Sequence, residues 1–177
     1  MAQATLIGYG EAGQALDVAQ SWRAFDIIAE RTKSATLEDA LEGAAIVLSL
    51  VTADQALSAA TGVAAIIAAD TIYCDMNSVA PATKRKAASL IEGAGGRFVD
   101  VAVMSPVHPA RLGTPLLISG PHAEDGMAAL LALGFENVRI VGAEIGRAST
   151  IKMLRSVMYK GVEALTAECL MACEKAG

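Results

Sequence analysis

The chain is poor in aromatic residues and in clustered basic residues. Aromatic residues make up 4% of its 177 residues and hydrophobic ones 54%, which predicts one sizeable core of mainly aliphatic side chains and alanine. The net charge is -5, and the one compact basic run is Lys84, Arg85 and Lys86, which we interpret as a solvated helix face. We therefore expect no nucleic-acid partner, because phosphate binding needs clustered lysine and arginine.

Cysteine is scarce, and long uncharged apolar stretches are missing. Cys74, Cys169 and Cys173 are odd in number, which argues against a disulfide framework and against a four-ligand metal site. We expect three reduced, buried thiols and no metal. The sequence has no uncharged apolar stretch of about 20 residues to span a membrane, and its first strand follows at once, without the segments of a leader. These features predict a soluble, cytoplasmic protein without a membrane partner.

The opening of the chain combines a short strand with a glycine pattern. Residues 4–7 have strand propensity, and small and apolar residues at helical spacing follow the pattern. The GxGxxG pattern itself consists of Gly8, Tyr9, Gly10, Glu11, Ala12 and Gly13. Strand, glycine turn and helix in this order favour a dinucleotide, because a pyrophosphate can approach bare backbone at the helix N-terminus. A purely structural turn and another nucleotide-like ligand, such as a methyl donor, stay open as alternatives.

A second predicted strand, residues 25–29, ends in a charged tripeptide. Dinucleotide folds place the residue that contacts the adenosine ribose about 20 residues beyond the glycine turn. Glu30 at that place favours NAD, because a carboxylate accepts hydrogen bonds from the ribose hydroxyls and repels a 2′-phosphate. Arg31 and Thr32 suit the 2′-phosphate of NADP instead. The sequence thus leaves NAD or NADP open with a slight lean to NAD, and a solvated strand end is the alternative without a cofactor role.

Two further predicted strands lead to the same edge of the sheet. Residues 45–51 form an apolar run that is typical of a strand buried on both faces of a parallel sheet. Ligands bind beyond the carboxyl ends of such strands, so Leu50, Val51 and Thr52 are expected near the cofactor. Thr52 is equally explained as the cap of the next helix. The predicted strand at residues 71–75 brings Asn77 and Ser78 to that edge.

The alternation of strands and helices predicts a doubly wound α/β domain that ends near Gly146. One uninterrupted helix of about 29 residues follows, from Arg147 to about Lys175. It carries a polar stripe at spacings of three and four, formed by Lys152, Arg155, Ser156, Tyr159, Lys160 and Glu163. The stripe is explained either as a solvated face or as the wall of a cleft, where partial burial would lower the pKa of Lys152.

Five motifs together resemble the 3-hydroxyacid dehydrogenases, the family that includes 6-phosphogluconate and 3-hydroxyisobutyrate dehydrogenases. They are GYGEAG at residues 8–13, ERT at 30–32, DMNSVAP at 75–81, DVAV at 100–103 and GRASTIKMLRS at 146–156. The last stretch is similar to a less-studied branch of the family. The resemblance covers essentially the whole chain, and it implies a Rossmann domain that binds a nicotinamide cofactor.

The resemblance also implies an activity and roles for individual residues. It implies NAD(P)-dependent oxidation of a small 3-hydroxyacid-type alcohol, or the reverse reduction, with Lys152 as general acid and base and Asn77 beside the cofactor. The family's serine and two glycines after the valine are replaced here, so that Ser105 is a shifted substitute. Ser156 stands where an asparagine commonly orients substrate. Arg155 beside it favours a carboxylate-bearing substrate.

Length is the largest departure from the family, whose members continue into an all-helical domain that closes the active site and builds the dimer. We therefore expect a dinucleotide-binding domain at residues 1–146 and, at residues 147–177, the first helix of a truncated second domain. A homodimer through that helix is expected, because an exposed apolar rod associates. The alternative function is a nucleotide-binding module without turnover of its own.

Overall fold

Strands and helices alternate along the chain in the computed structural model, which describes residues 4–177. The strands are β1 (Ala4–Ile7), β2 (Arg23–Phe25), β3 (Ile46–Ser49), β4 (Ile72–Asp75), β5 (Arg97–Val103), β6 (Leu116–Ser119) and β7 (Val138–Gly142). The helices are α1 (Glu11–Leu16), α2 (Leu37–Leu41), α3 (Ala56–Ala64), α4 (Pro81–Gly93), α5 (Ala123–Ala132) and α6 (Arg147–Ala176), with a short 3-10 turn at Arg111–Gly113.

The seven strands form one sheet in the order β2-β1-β3-β4-β5-β6-β7. Neighbours are parallel except β5 and β6, which pair antiparallel across the loop at residues 104–115. The chain leaves β1 to one side for β2 and then crosses to the other side for β3. This reversal is the switch point at which open α/β sheets bind ligands, and the predicted doubly wound, Rossmann-like fold is confirmed.

Helices cover both faces of the sheet, because adjacent residues of each central strand point to opposite sides. On one face Leu6, Leu48, Cys74 and Val99 pack with Leu16 of α1 and with Ala123 and Leu130 of α5. On the other face Ile7, Val47, Tyr73 and Phe98 pack with residues of α2, α3 and α4, among them Leu41, Val63 and Ile91. The apolar runs of the sequence are thus strands buried on both sides.

Most predicted elements are present, and one strand is misplaced. β5 and β6 have the predicted bounds, and α6 extends over 30 residues. The predicted strand at residues 25–29 is wrong, because β2 ends at Phe25. Thr52 is not the cap of α3, which begins four residues later with Gln55 at its cap position.

The long helix α6 divides into two parts with different surroundings. Its first residues, Ala148 and Ser149, are buried against the sheet. Beyond Met153 its large apolar side chains are exposed in the described chain, at Leu154, Val157, Met158, Val162, Leu165, Leu170 and Met171. The domain itself therefore covers only the amino-terminal end of this helix.

Candidate functional site

The glycine turn after β1 is held close to the end of β3. Gly8 has a φ of +91°, and a Cβ atom built on it would lie 2.5 Å from the Leu50 carbonyl oxygen. A Cβ atom on Gly13 would lie 2.6 Å from the Gly8 carbonyl oxygen, so this glycine lets α1 pack against the turn. Both positions exclude a side chain for reasons internal to the fold.

Gly10 differs from these two glycines because its surroundings are open. Its φ is -74°, which any residue adopts, and the nearest atom to a Cβ atom built on it is Nη1 of Arg31, at 3.8 Å. The space that the missing side chain leaves opens toward a cavity of about 420 Å³ between the carboxyl ends of β1, β2 and β3. The backbone at Gly10 is therefore accessible to a ligand, which fits the close approach of a pyrophosphate.

The cavity brings together some of the predicted cofactor residues and leaves others outside. Its wall includes Gly8, Gly10, Arg31, Leu50, Val51 and Thr52 of the predicted set, together with Asp26, Ile27 and Ile28, which the sequence prediction assigned to a strand. Tyr9, Glu11, Ala12, Gly13, Glu30, Thr32 and Asn77 are not in this wall. The apolar pair Ile27 and Ile28 is exposed, at 77% and 40%, because it faces this cavity rather than the core.

Asp26 is the carboxylate at the end of β2. Its Oδ2 accepts a hydrogen bond from the Tyr9 backbone N–H at 2.8 Å, and its Oδ1 accepts one from the Ile28 N–H at 2.9 Å. These bonds end the strand and join the loop after β2 to the glycine turn. The apolar residues on both sides of Asp26 make residues 25–29 resemble a strand, although an acidic residue directly after a strand is the signal that could have indicated this turn.

The predicted tripeptide lies in the loop beyond Asp26. Glu30 is exposed, and the Thr32 hydroxyl is within donating distance of the Ala24 carbonyl at 3.2 Å and the Ser34 carbonyl at 2.8 Å. Arg31 is the member of the tripeptide that lines the cavity. The place next to the strand end that the sequence prediction gave to Glu30 is therefore occupied by Asp26.

Asn77 is a buried connection between two loops of this edge. Its Oδ1 accepts a hydrogen bond from the Val51 N–H at 2.7 Å, and its Nδ2 donates to the Ser49 hydroxyl at 3.0 Å. Its backbone N–H donates to Asp75 Oδ1. Because the side chain is 4% exposed and uses both of its polar atoms within the protein, it fixes the segment after β3 that lines the cavity.

Lys152 reaches the same edge of the sheet from α6. Its Nζ donates to the hydroxyl of Ser78 at 2.6 Å, a contact between residues 74 positions apart in the sequence. Burial lowers the pKa of Lys152 below its ordinary value, and the positive charge of Lys84 lowers that pKa further. Of the two explanations of the polar stripe, half-burial against Ser78 favours the cleft wall at this position, whereas Tyr159, Lys160 and Glu163 farther along are exposed.

The predicted substrate residues surround the loop between β5 and β6. Arg155 donates from Nη1 to the Met104 carbonyl at 2.9 Å, and its guanidinium lies 5.0 Å from the centre of the Tyr159 ring. Ser105, next in the chain to Met104, donates to the Pro106 carbonyl at 3.3 Å, and Ser156 is half-buried. Arg155 of α6 thus contacts the loop that contains Ser105.

Two predictions from composition are wrong in part. Lys84 belongs to no solvated face: its side chain is 0% exposed and forms ion pairs with Asp75 and Asp100, while Arg85 and Lys86 are exposed as predicted. Of the three cysteines only Cys74 is buried, because the other two lie on the uncovered part of α6. The sequence shows a run of three charges, and only the fold shows that one of them points inward to two carboxylates.

The described residues, 4–177, also bear on the predictions about a metal ion and a membrane partner. No three His, Cys, Asp or Glu side chains in that range are grouped so that they could hold a metal ion. No helix in the described part of the chain is long and apolar enough to cross a membrane.

The seven-stranded sheet and the glycine turn at its switch point define a dinucleotide-binding domain of the Rossmann type. Residues 6–142 match the NAD binding domain of 6-phosphogluconate dehydrogenase, and the chain belongs to this family. The indicated resemblance to the 3-hydroxyacid dehydrogenases is thereby confirmed, as is a nicotinamide-cofactor-binding domain.

Individual relatives are similar to most of this chain. The uncharacterized 28.5 kDa protein in the 7S RNA 5′ region of Methanothermus fervidus is 31% identical over 140 residues, which are 79% of this chain and 52% of that protein. The 3-sulfolactaldehyde reductase of Escherichia coli (strain K12) is 26% identical over 195 residues, covering 98% of this chain and 65% of the enzyme. The chain thus spans about half to two thirds of the length of these curated relatives.

A solved structure extends the likeness to three dimensions. A conserved protein of unknown function, whose structure is described as similar to 3-hydroxyacid dehydrogenases, has a TM-score of 0.79 and 34% identity to this chain. The match covers 99% of this chain and 71% of that one. The likeness therefore includes α6 as well as the sheet.

Proposed function

We propose that the chain is the cofactor-binding and catalytic part of an NAD(P)-dependent oxidoreductase. It would transfer a hydride between the nicotinamide and a small 3-hydroxyacid-type alcohol, with Lys152 as the general acid and base. The observation that carries this proposal is the position of Lys152, whose amine lies against Ser78 at the cofactor edge with a lowered pKa. The likeness to 3-sulfolactaldehyde reductase supports a small aldehyde or alcohol as the substrate.

The cofactor would lie across the glycine turn and the adjoining cavity. The open space at Gly10 supports a pyrophosphate beside residues 8–13, and the apolar wall at Ile27, Ile28 and Val51 supports an adenosine. Asp26 would accept hydrogen bonds from the ribose hydroxyls, because each of its carboxylate oxygens accepts one backbone N–H bond and has a second lone pair. This carboxylate favours NAD, and Arg31 is the feature in favour of NADP.

The proposed proton transfer takes place at Lys152 Nζ. When bound, the nicotinamide accepts or supplies the hydride. In the direction of oxidation the neutral amine accepts the alcohol proton, and in reduction the ammonium returns it, while the Ser78 hydroxyl holds the amine in place. The lowered pKa supports this role, since a lysine with an ordinary pKa of about 10.4 is almost fully protonated at neutral pH.

Arg155, Ser105 and Ser156 would bind the substrate. The guanidinium of Arg155 uses one donor on the Met104 carbonyl, and its other N–H groups remain for a carboxylate of the substrate. Ser105 lies next to Met104 and would add a hydroxyl. These roles rest on the resemblance and on the proximity of the loop to α6.

The division of the chain and its assembly are further parts of the proposal. Residues 1–146 would form the dinucleotide-binding domain, and residues 147–177 the helix that starts the second, helical part. The exposed apolar side chains beyond Lys152 support a homodimer through α6, because a contiguous apolar surface of this kind marks an interaction site. The cytoplasmic location and the absence of a nucleic-acid partner stay predictions.

The second candidate is a nucleotide-binding module without its own turnover. The observation that favours it is the exposure of the large apolar side chains of α6 from Leu154 onward, so that in the described chain no other element covers the helix beyond Lys152. A closed, water-excluding site strengthens the electrostatic interactions on which hydride and proton transfer depend.

One pair of measurements separates the two functions. Calorimetry with NAD and NADP tests cofactor binding, and a screen of small 3-hydroxyacids with each cofactor tests turnover, on this chain and on any longer form. If the protein is a dehydrogenase, at least one form should bind the cofactor and turn over a substrate. Binding without turnover in every form identifies the module, and no binding by any form contradicts both.

A further inference from the structure

Lys84 is a fully buried lysine whose ammonium is surrounded by acceptors. Its side chain is 0% exposed, and Nζ donates to the Asp75 carbonyl at 2.5 Å and to Asp75 Oδ1 at 3.0 Å. A second carboxylate, Asp100 Oδ1, lies 3.4 Å away. Burying an ammonium is costly, and an apolar side chain of similar size often gives equal or higher stability than a buried ion pair. Stability alone is therefore a weak reason for a lysine here.

Asp100 contacts both Lys84 and the start of α6. Its Oδ2 accepts hydrogen bonds from the backbone N–H groups of Gly146 and Ser149, both at 3.1 Å, and its Oδ1 accepts one from the Ser149 hydroxyl at 2.5 Å. A carboxylate at this place satisfies unpaired N–H groups of the first helical turn and is favoured by the helix dipole. Lys152 stands three residues after Ser149, on the same face of the helix.

The charge of Lys84 also acts on Lys152. Helix α6 packs against α4, β5, β6 and β7. The charged side chains on these elements are Lys84, Arg85, Lys86 and Glu92 on α4, Arg97 and Asp100 on β5, and Arg139 on β7. Asp75 ends β4 beside Lys84, and α6 itself adds Arg147, Arg155 and Lys160 around Lys152. Among these, Lys84 is the cation that lowers the pKa of Lys152, in addition to burial.

We propose that Lys84 is a positioning residue for the general acid and base: bound between Asp75 and Asp100, it holds the first turn of α6 in place and sets the charge environment of Lys152. The role in the reaction rests on the proposed function, whereas the effect of Lys84 on Lys152 can be measured without any reaction. Removal of Lys84 takes away a positive charge and leaves two buried carboxylates. Both changes favour the ammonium form of Lys152 and raise its pKa.

The test is an NMR titration of the lysine side chains in the full chain, labelled with ¹³C and ¹⁵N. The Lys152 signal is assigned by its loss in K152A. Wild type is compared with K84M, and K86M is the matched control, since Lys86 is an exposed lysine on the same helix. We expect the pKa of Lys152 to lie below the ordinary lysine value in wild type and to rise toward that value in K84M, which keeps the burial but lacks the neighbouring cation. K86M should leave it unchanged, and K84R, which keeps the charge, should keep it near the wild-type value.

Each outcome bears on the proposal. A folded K84M in which Lys152 titrates as in wild type overturns it, and so does a wild-type Lys152 that titrates at the ordinary value. If circular dichroism shows that K84M does not fold, K84Q replaces it, because its amide still donates one hydrogen bond at the same place. The titration uses neither cofactor nor substrate. If no form shows turnover in the substrate screen but the chain shows the expected shift, the proposed activity is refuted and the effect of Lys84 on Lys152 stays established.

Discussion

The two halves of the candidate site are built by different means. The cofactor half is local: within residues 8–13 the fold requires that Gly8 and Gly13 have no side chain, and Gly10 leaves backbone open to the cavity. The proposed catalytic half is assembled from distant side chains, since Lys152, Ser78, Lys84 and Asp100 come from α6, the loop after β4, α4 and β5. A binding site formed by backbone is disturbed when a substitution adds atoms. A site formed by distant side chains is disturbed when a substitution removes a charge or a hydrogen bond.

The largest expected effect is in the cofactor half. Gly10→Val should abolish detectable binding of NAD and NADP, because its side chain would occupy the space open to the pyrophosphate. The fold should persist, since the backbone at Gly10 has an ordinary φ and a Cβ atom meets only Arg31. Calorimetry measures the binding. The control is Gly161→Val, at an exposed glycine of α6 where an added Cβ atom would have no other atom within 4 Å. Undiminished cofactor binding by Gly10→Val would refute the pyrophosphate site proposed at the glycine turn.

A loss of function in the catalytic half should leave the cofactor half intact. Lys152→Ala should lower kcat by about a hundredfold to ten-thousandfold, the range of general acid and base catalysis, with cofactor affinity unchanged. Lys160→Ala, at an exposed lysine of the same helix, should have no such effect. Steady-state kinetics together with cofactor titration measure both quantities. Equal kcat in Lys152→Ala and wild type would contradict the assignment.

Cofactor choice sharpens the description of the local half. Asp26→Asn removes the negative charge and leaves one acceptor oxygen in place of two, so it should reduce the preference for NAD over NADP by about tenfold, the scale of a hydrogen bond to a charged group. Glu30→Gln should leave the preference unchanged, since Glu30 is exposed and outside the cavity wall. The affinities for the two cofactors decide between these carboxylates. A changed cofactor preference in Glu30→Gln, with no change in Asp26→Asn, would support the sequence prediction that Glu30 contacts the ribose.

The smallest expected effect on the site itself comes from the uncovered part of α6. Leu165→Glu with Met171→Glu should yield monomers, while domain stability changes by no more than about 0.5 kcal/mol, as is usual for surface substitutions. The matched control is Glu163→Gln, on the same exposed stretch. Sedimentation and chemical denaturation measure the two effects. A wild-type chain that sediments as a monomer with α6 ordered would contradict the dimer.

The comparison also explains which parts the sequence could predict. The glycine turn, β1 and the bounds of β5 and β6 follow from local patterns, and the fold class follows from their order. The predicted second strand, residues 25–29, is displaced toward the C-terminus from β2, because Ile27 and Ile28 look like strand residues but line a cavity. The basic run predicts an exposed Lys84, because the burial of this side chain depends on Asp75 and Asp100, which no spacing rule connects to it.

The role proposed for Lys152 comes from the resemblance rather than from a local pattern. Its stripe on α6 fits a solvated face equally well, and the contact with Ser78 spans 74 residues of sequence. The cation that lowers its pKa is Lys84 of α4, which lies outside the helix that carries Lys152. Residues that are neighbours along a helix can be identified from their spacing in the sequence. Residues that meet at the edge of a sheet can be identified only once the fold is known.

The pH dependence of kcat/KM for oxidation tests the central claim most directly, because it measures the base in the free enzyme. A neutral Lys152 is needed to accept the alcohol proton, so kcat/KM should be low at acidic pH and rise as pH increases through the pKa of Lys152. Because burial and Lys84 lower that pKa, the midpoint should lie below the ordinary lysine value of about 10.4. A profile without such a rise, or a rise that persists unchanged in Lys152→Ala, would contradict the account.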